Sequence, residues 1–178
     1  MASYARMYAG EAELDILRGL GYFDRPAEPA ALQLVMPVVE ERKYRAALGR
    51  LRDARLILTA DPGKDIDCHP LVREHFAMEA TREGQARLYE HYKGQAPVRP
   101  DTLEEMTPLF YAVFHGCQAG RYQEAAHDVY YGRVRRGQEA YLTKSLAPSE
   151  LTFRCLPTSL RRRGLSHQPA SRLRINHG

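Results

Sequence analysis

Apolar residues recur at helical intervals through most of the first 146 positions. Between 10 and 20, Leu14, Ile16, Leu17 and Leu20 fall near one side of a helix that Gly21 can end. Tyr22 to Pro26 form an aromatic-led turn, and Pro26 and Pro29 hold the chain out of helix until Ala30. A short apolar helix over 30–36 stops before Pro37. A third helix over 39–55 puts Tyr44, Ala47, Leu48 and Leu51 on one face and Arg42, Arg45 and Arg52 on another. Leu56 to Thr59 is short and aliphatic, Pro62-Gly63 signals a turn, and Ile66-Asp67-Cys68 is the returning strand of a hairpin. After Pro70 the helical period resumes with Leu71, Val72, Phe76 and Ala80, and the pattern runs on through Leu88, Tyr89 and Tyr92.

Three helices followed by a hairpin is the order of a winged helix. The fold expected is therefore mostly α: a winged helix with a small β-hairpin and its following helix over 10–93. Residues 94–101, GQAPVRPD, are a proline-bearing linker. Asp101 or Thr102 caps the next helix, with Glu104 or Glu105 near its third position as in a capping box. That helix carries Met106, Leu109, Phe110, Val113 and Phe114 and ends between Gly116 and Gly120. Its partner over 122–134 carries Ala125, Ala126, Val129 and Tyr130, which makes an α-hairpin. A further helix over about 138–146 would stack on the pair. The last stretch, 147–178, has scattered leucines and no sustained period, and is expected to be disordered.

Two stretches resemble known families. Ile66-Asp67-Cys68-His69-Pro70-Leu71-Val72-Arg73-Glu74-His75-Phe76 resembles the "strand, His, x, Leu, Val, Arg, x, Phe/Tyr" segment in the winged-helix domain of STAND-class signalling ATPases, the NB-ARC and NACHT group. The preceding leucine-rich helices ending in Gly-Tyr-Phe, and ARLIL leading into the wing, fit the same layout. Gly120, Tyr122 and Ala125 resemble the G-x-Y-x-x-A heart of a tetratricopeptide repeat, so 102–146 is expected to be tetratricopeptide-like. No second copy at a period of about 34 residues is evident.

The resemblance implies that His69 occupies the position that reads the diphosphate of bound ADP in the intact family. Many members flank that histidine with Met and Asp, where this chain has Cys68 and Pro70. No G-x-x-x-x-G-K-S/T occurs, and Gly63-Lys64 lacks both the earlier glycine and the following hydroxyl. The function implied is that of a non-catalytic fragment of a STAND-type ATPase, a regulatory module with a protein partner and no cofactor. The alternative is a winged-helix transcriptional regulator that contacts DNA through Arg42, Arg45 and Arg52.

Composition sharpens this picture in one respect. The formal charge of the 178 residues is +4, which suggests an anionic partner. However, all 22 acids lie within residues 1–150, while 151–178 carries six arginines and no acid. The 20 basic residues outside the tail leave the body at −2. The tail, including Arg161-Arg162-Arg163, suits RNA or acidic lipid, but its abrupt change of composition fits better with out-of-frame reading of a GC-rich gene. Three widely spaced cysteines, Cys68, Cys117 and Cys155, fit a reducing cytoplasm. No apolar run approaches the roughly 18–20 residues of a membrane span, and the N-terminus lacks the basic flank and apolar core of a signal peptide.

Two readings stand for most candidate residues. His69 is a nucleotide contact or a structural strand-to-helix turn with Pro70 at the first helical position. Arg73 is a buried structural arginine or a solvated helix residue. The arginines of 39–55 suit phosphate contacts, yet the net negative body works against them. Cys68-His69, His75 and His115-Gly116-Cys117 are metal ligands by type only, since their spacings match no zinc module. Cys117 reads as a buried small apolar residue. Tyr122, Tyr130, Tyr131 and Tyr141 suit either a peptide groove or packing between helices.

Overall fold

A computed structural model describes residues 11–58 and 64–136. The expected helix over 138–146 and the tail over 147–178 lie outside the described residues. The described residues are all-α, with seven helices. They are α1 (Glu11–Leu20), α2 (Pro29–Leu34), α3 (Glu41–Asp53), α4 (Pro70–Ala77), α5 (Arg82–Gln95), α6 (Leu103–Gln118) and α7 (Tyr122–Glu124), which continues as a π-helix over Ala125–Val134. Among the described residues no helix is long and apolar enough to cross a membrane.

The first unit forms around α1, whose Ile16, Leu17 and Leu20 are fully buried. Helices α3 and α4 pack on α1, and α2 packs on α1 and α5. α2 begins with Pro29 inside its first turn, one residue earlier than expected, because a proline at that position forfeits an N–H that has no helical partner anyway. In α3, Tyr44, Ala47 and Leu51 turn inward and Leu48 packs against them, as the periodicity predicts.

The pattern from Leu71 to Tyr92 is not one helix. It breaks at 78–81, where Thr81 Oγ1 accepts the Gly84 N–H at 3.1 Å and so starts α5 afresh. Tyr22 O–H and Thr81 Oγ1 are 3.0 Å apart, and the Thr81 N–H donates to Tyr22 Oη at 3.0 Å. A phenol from the turn after α1 thus fixes the new cap.

Of the expected hairpin the described residues show one antiparallel bridge, Ile57 with Cys68, and a second bridge joins Ile66 instead to Ala27 in the turn before α2. Ala27 and Ile66 exchange both backbone bonds at 2.8 Å, and the Leu58 N–H donates to Asp67 O at 2.8 Å. Neither pairing extends into a strand. Pro26 and Pro29 flank Ala27 without N–H groups, and the Cys68 N–H is taken by Asp67 Oδ1 at 2.8 Å. The Pro62-Gly63 tip lies outside the described residues.

α6 starts on Thr102, whose Oγ1 accepts from the Glu105 N–H at 3.2 Å, while Glu105 Oε2 accepts from the Asp101 N–H at 2.7 Å. It packs along α5 and against the π-helix. Gly116 and Ala125 let the last two helices approach, since a Cβ added at Gly116 would lie 2.9 Å from that of Ala125. The buried positions of the final helix, Ala125, Val129 and Val134, recur at intervals of four and five. That spacing suits the wide i→i+5 turn, of which the Arg135 N–H bond to Tyr130 O at 2.7 Å is one. One connected apolar core runs from Ile16 through Leu88 and Tyr89 to Val134.

Candidate functional site

The resemblance directs attention to the start of α4. His69 precedes the helix with extended backbone angles, and its Nδ1 accepts the Leu71 N–H at 3.3 Å. Pro70 supplies the preset first turn. The imidazole is therefore an N-cap and lies exposed. Its Nε2 faces no partner among the described residues.

One turn along the same helix, Arg73 is largely buried. Its guanidinium pairs with Asp67 and reaches Asp24 O at 3.4 Å, while its Nε has no partner. This pairing ties α4 both to the bridged segment 66–68 and to the turn after α1, which decides Arg73 as a structural residue. Beside it lies a half-open groove of about 440 Å³ lined by Tyr22, Asp24, Arg73, Glu74, Gln85 and Gln118, among others. The lining mixes both charges.

The two described cysteines are buried. Burial pushes the Cys68 thiol up despite the nearby Arg73 guanidinium, and it pushes the Cys117 thiol up to about 11. Neither is therefore disposed to form a thiolate. Among the described residues no three His, Cys, Asp or Glu side chains come together to hold a metal ion.

His115, a ligand candidate by type, is committed elsewhere. It is 1% exposed, stacks on Tyr92 at 5.4 Å, and meets the edge of Phe23 at 5.5 Å. Its Nδ1 lies 2.6 Å from Gln85 Oε1. Because Gln85 Nε2 donates to Tyr22 O at 3.3 Å, Oε1 is left to accept, which places the imidazole proton on Nδ1. Burial, with Arg25 and His91 nearby, lowers the His115 pKa to about 3. The periodicity marked this residue only as a histidine on an apolar face; its partner Gln85 carried no signal of its own.

The arginines of α3 lie apart from His69. Arg42, Arg45 and Arg52 are all exposed, and no hydrogen bond or ion pair joins them to His69 among the described residues. Of the tyrosines, Tyr122 and Tyr131 are exposed and Tyr130 packs partly against the core, while Tyr141 lies outside the described residues. A residue with no sequence signal, Arg133, donates to Lys93 O at 2.9 Å and to Ala96 O and Pro97 O at 2.8 Å. Arg136 donates to Pro100 O and to Asp101 Oδ1. No protein-family model, curated protein sequence or solved structure matches the chain.

Proposed function

We propose that the chain is a non-catalytic regulatory and protein-interaction module of the kind that follows the nucleotide-binding part of STAND-type ATPases: a winged helix leading into a tetratricopeptide-like α-hairpin. The observation that carries this reading is the pairing of one short segment on both sides. Ile66 bridges Ala27, Cys68 bridges Ile57, and the chain then enters α4 through His69-Pro70. Three helices, then this bridged segment in the place where the motif calls for a hairpin, then the His69-Pro70 junction, is the order that supports this reading.

The close contact of Gly116 with Ala125, next to a Gly120 at φ 81°, supports the α-hairpin half. In this reading His69 caps α4 and presents its free Nε2 outward, toward whatever nucleotide module accompanies the chain. Alone, the chain turns over no nucleotide. The purified protein is expected to show no ATP hydrolysis, and His69→Ala to lower stability by about 0.5–1 kcal/mol through the lost cap. ATP turnover that His69→Ala abolishes would overturn the proposal. A coding segment upstream with a P-loop in the same frame would support it.

A further inference from the structure

The half-open groove beside Arg73 lies where the turn after α1, α4, the start of α5 and the last turn of α6 meet. Its volume of about 440 Å³ falls within the range of small-molecule sites. Phe114, Ala77 and Ala80 give it apolar surface, and His69 is not among its lining residues. The groove is thus separate from the position that faces a nucleotide module.

Its charges do not balance. Arg73 is neutralised by Asp67, which stands outside the groove, and Asp24 is neutralised by Arg25 at 2.6 Å. Glu74, exposed at the rim, has no ion pair or hydrogen bond among the described residues. One negative charge is left over, and a single cation complements it. At the buried side of the groove stands Gln85, which is 5% exposed. Its Oε1 accepts from His115, and one Nε2 hydrogen goes to Tyr22 O at 3.3 Å. A primary amide nitrogen carries two hydrogens, so the second has no acceptor among the described residues. An unpaired buried donor is costly, and an acceptor oxygen entering the groove relieves that cost.

We propose that this groove binds a small primary amine. Its ammonium pairs with Glu74 at the rim, its apolar body lies on Phe114, Ala77 and Ala80, and an oxygen at its far end accepts from Gln85 Nε2. The order of these groups sets the class. A lysine side chain would enter ammonium first and place its charge at the buried amide instead of at Glu74. A phosphate would meet the carboxylates of Glu74 and Asp24. Binding of this kind needs no nucleotide module, so it holds or fails independently of the regulatory reading.

The test titrates the isotope-labelled full chain with tyramine at low salt and follows backbone amide shifts by NMR. Saturable shifts are expected at Glu74, Ala77, Gln85 and Gln118. Glu74→Gln should weaken binding about two- to fivefold, as an exposed ion pair allows. Its melting temperature should match that of the parent, because the side chain is exposed and unpaired. Glu79→Gln removes an equal charge outside the groove, where Glu79 pairs with Arg18, and should leave the affinity unchanged. Phenethylamine lacks the phenolic oxygen and should bind about two- to tenfold more weakly. N-acetyltyramine lacks the charge and should lose as much as Glu74→Gln does. No saturable shift at millimolar tyramine would overturn the proposal, as would an equal loss in Glu79→Gln or equal affinity for phenethylamine. Tighter binding of ADP or of Nα-acetyl-lysine amide at the same residues would overturn the assignment to a free amine.

Discussion

Gly21 lies where the chain leaves α1 and passes against the backbone of α4. A Cβ there would sit 2.5 Å from the Phe76 carbonyl carbon, 2.6 Å from its oxygen and 2.8 Å from Ala77 N. Backbone cannot yield as a side chain can, so Gly21→Ala is expected to cost about 2–3 kcal/mol, read as a lower urea midpoint. Gly19→Ala meets only the side chains of Leu32 and Met36 and should cost less. Gly21 was legible as a helix terminator from its place after Leu20. The close approach was not, because it depends on a helix distant in sequence. His69 shows the same division. Its neighbour Pro70 marked a helix start, whereas the exposure of its imidazole follows from how α4 sits on α1.

At the scale of elements, two helices end in the same way with different residues. After α3, the Arg55 N–H bonds to Arg52 O and the Leu56 N–H to Leu51 O. After α6, the Gly120 N–H bonds to Cys117 O and the Arg121 N–H to Gly116 O. Both are Schellman caps, which need a left-handed residue. Gly120 adopts φ 81° at no steric cost, whereas Arg55 is held at φ 56°. Arg55→Gly is expected to raise stability by about 0.5–1 kcal/mol, measured by chemical denaturation. Periodicity identified α1, α3, α6 and the final helix because each buries a consistent stripe. It joined α4 to α5, since the cap at Thr81 is completed by Tyr22, a residue no local pattern connects to it. It also missed Val134, because a 3.6-residue period does not describe a π-helix.

At the scale of the molecule, the buried chain from Tyr22 O through Gln85 to His115 links the turn after α1 to α5 and α6. The sign of its pH dependence follows from the lowered His115 pKa. Between pH 6.5 and about 3 the unfolded chain takes up a proton that the folded chain excludes, so stability falls as pH falls through this window. From pH 7 to pH 5 the loss from this one group is about 2 kcal/mol. Denaturation midpoints across that range should show it. His115→Asn, although less stable at pH 7, should show a flatter dependence.

The clamp that Arg133 and Arg136 place on the carbonyls between α5 and α6 has a consequence for how the chain is made. Translation delivers residues in order, at about 5–20 per second. Leu88, Tyr89 and Tyr92 therefore emerge before α6, whose Tyr111, His115 and Gly116 meet the two tyrosines, and several seconds before the guanidinium groups that hold the connection. Until α6 follows, the nascent chain carries an uncovered aromatic face. α6 closes over that face first, and the last helix then latches the connection between the two through Arg133 and Arg136.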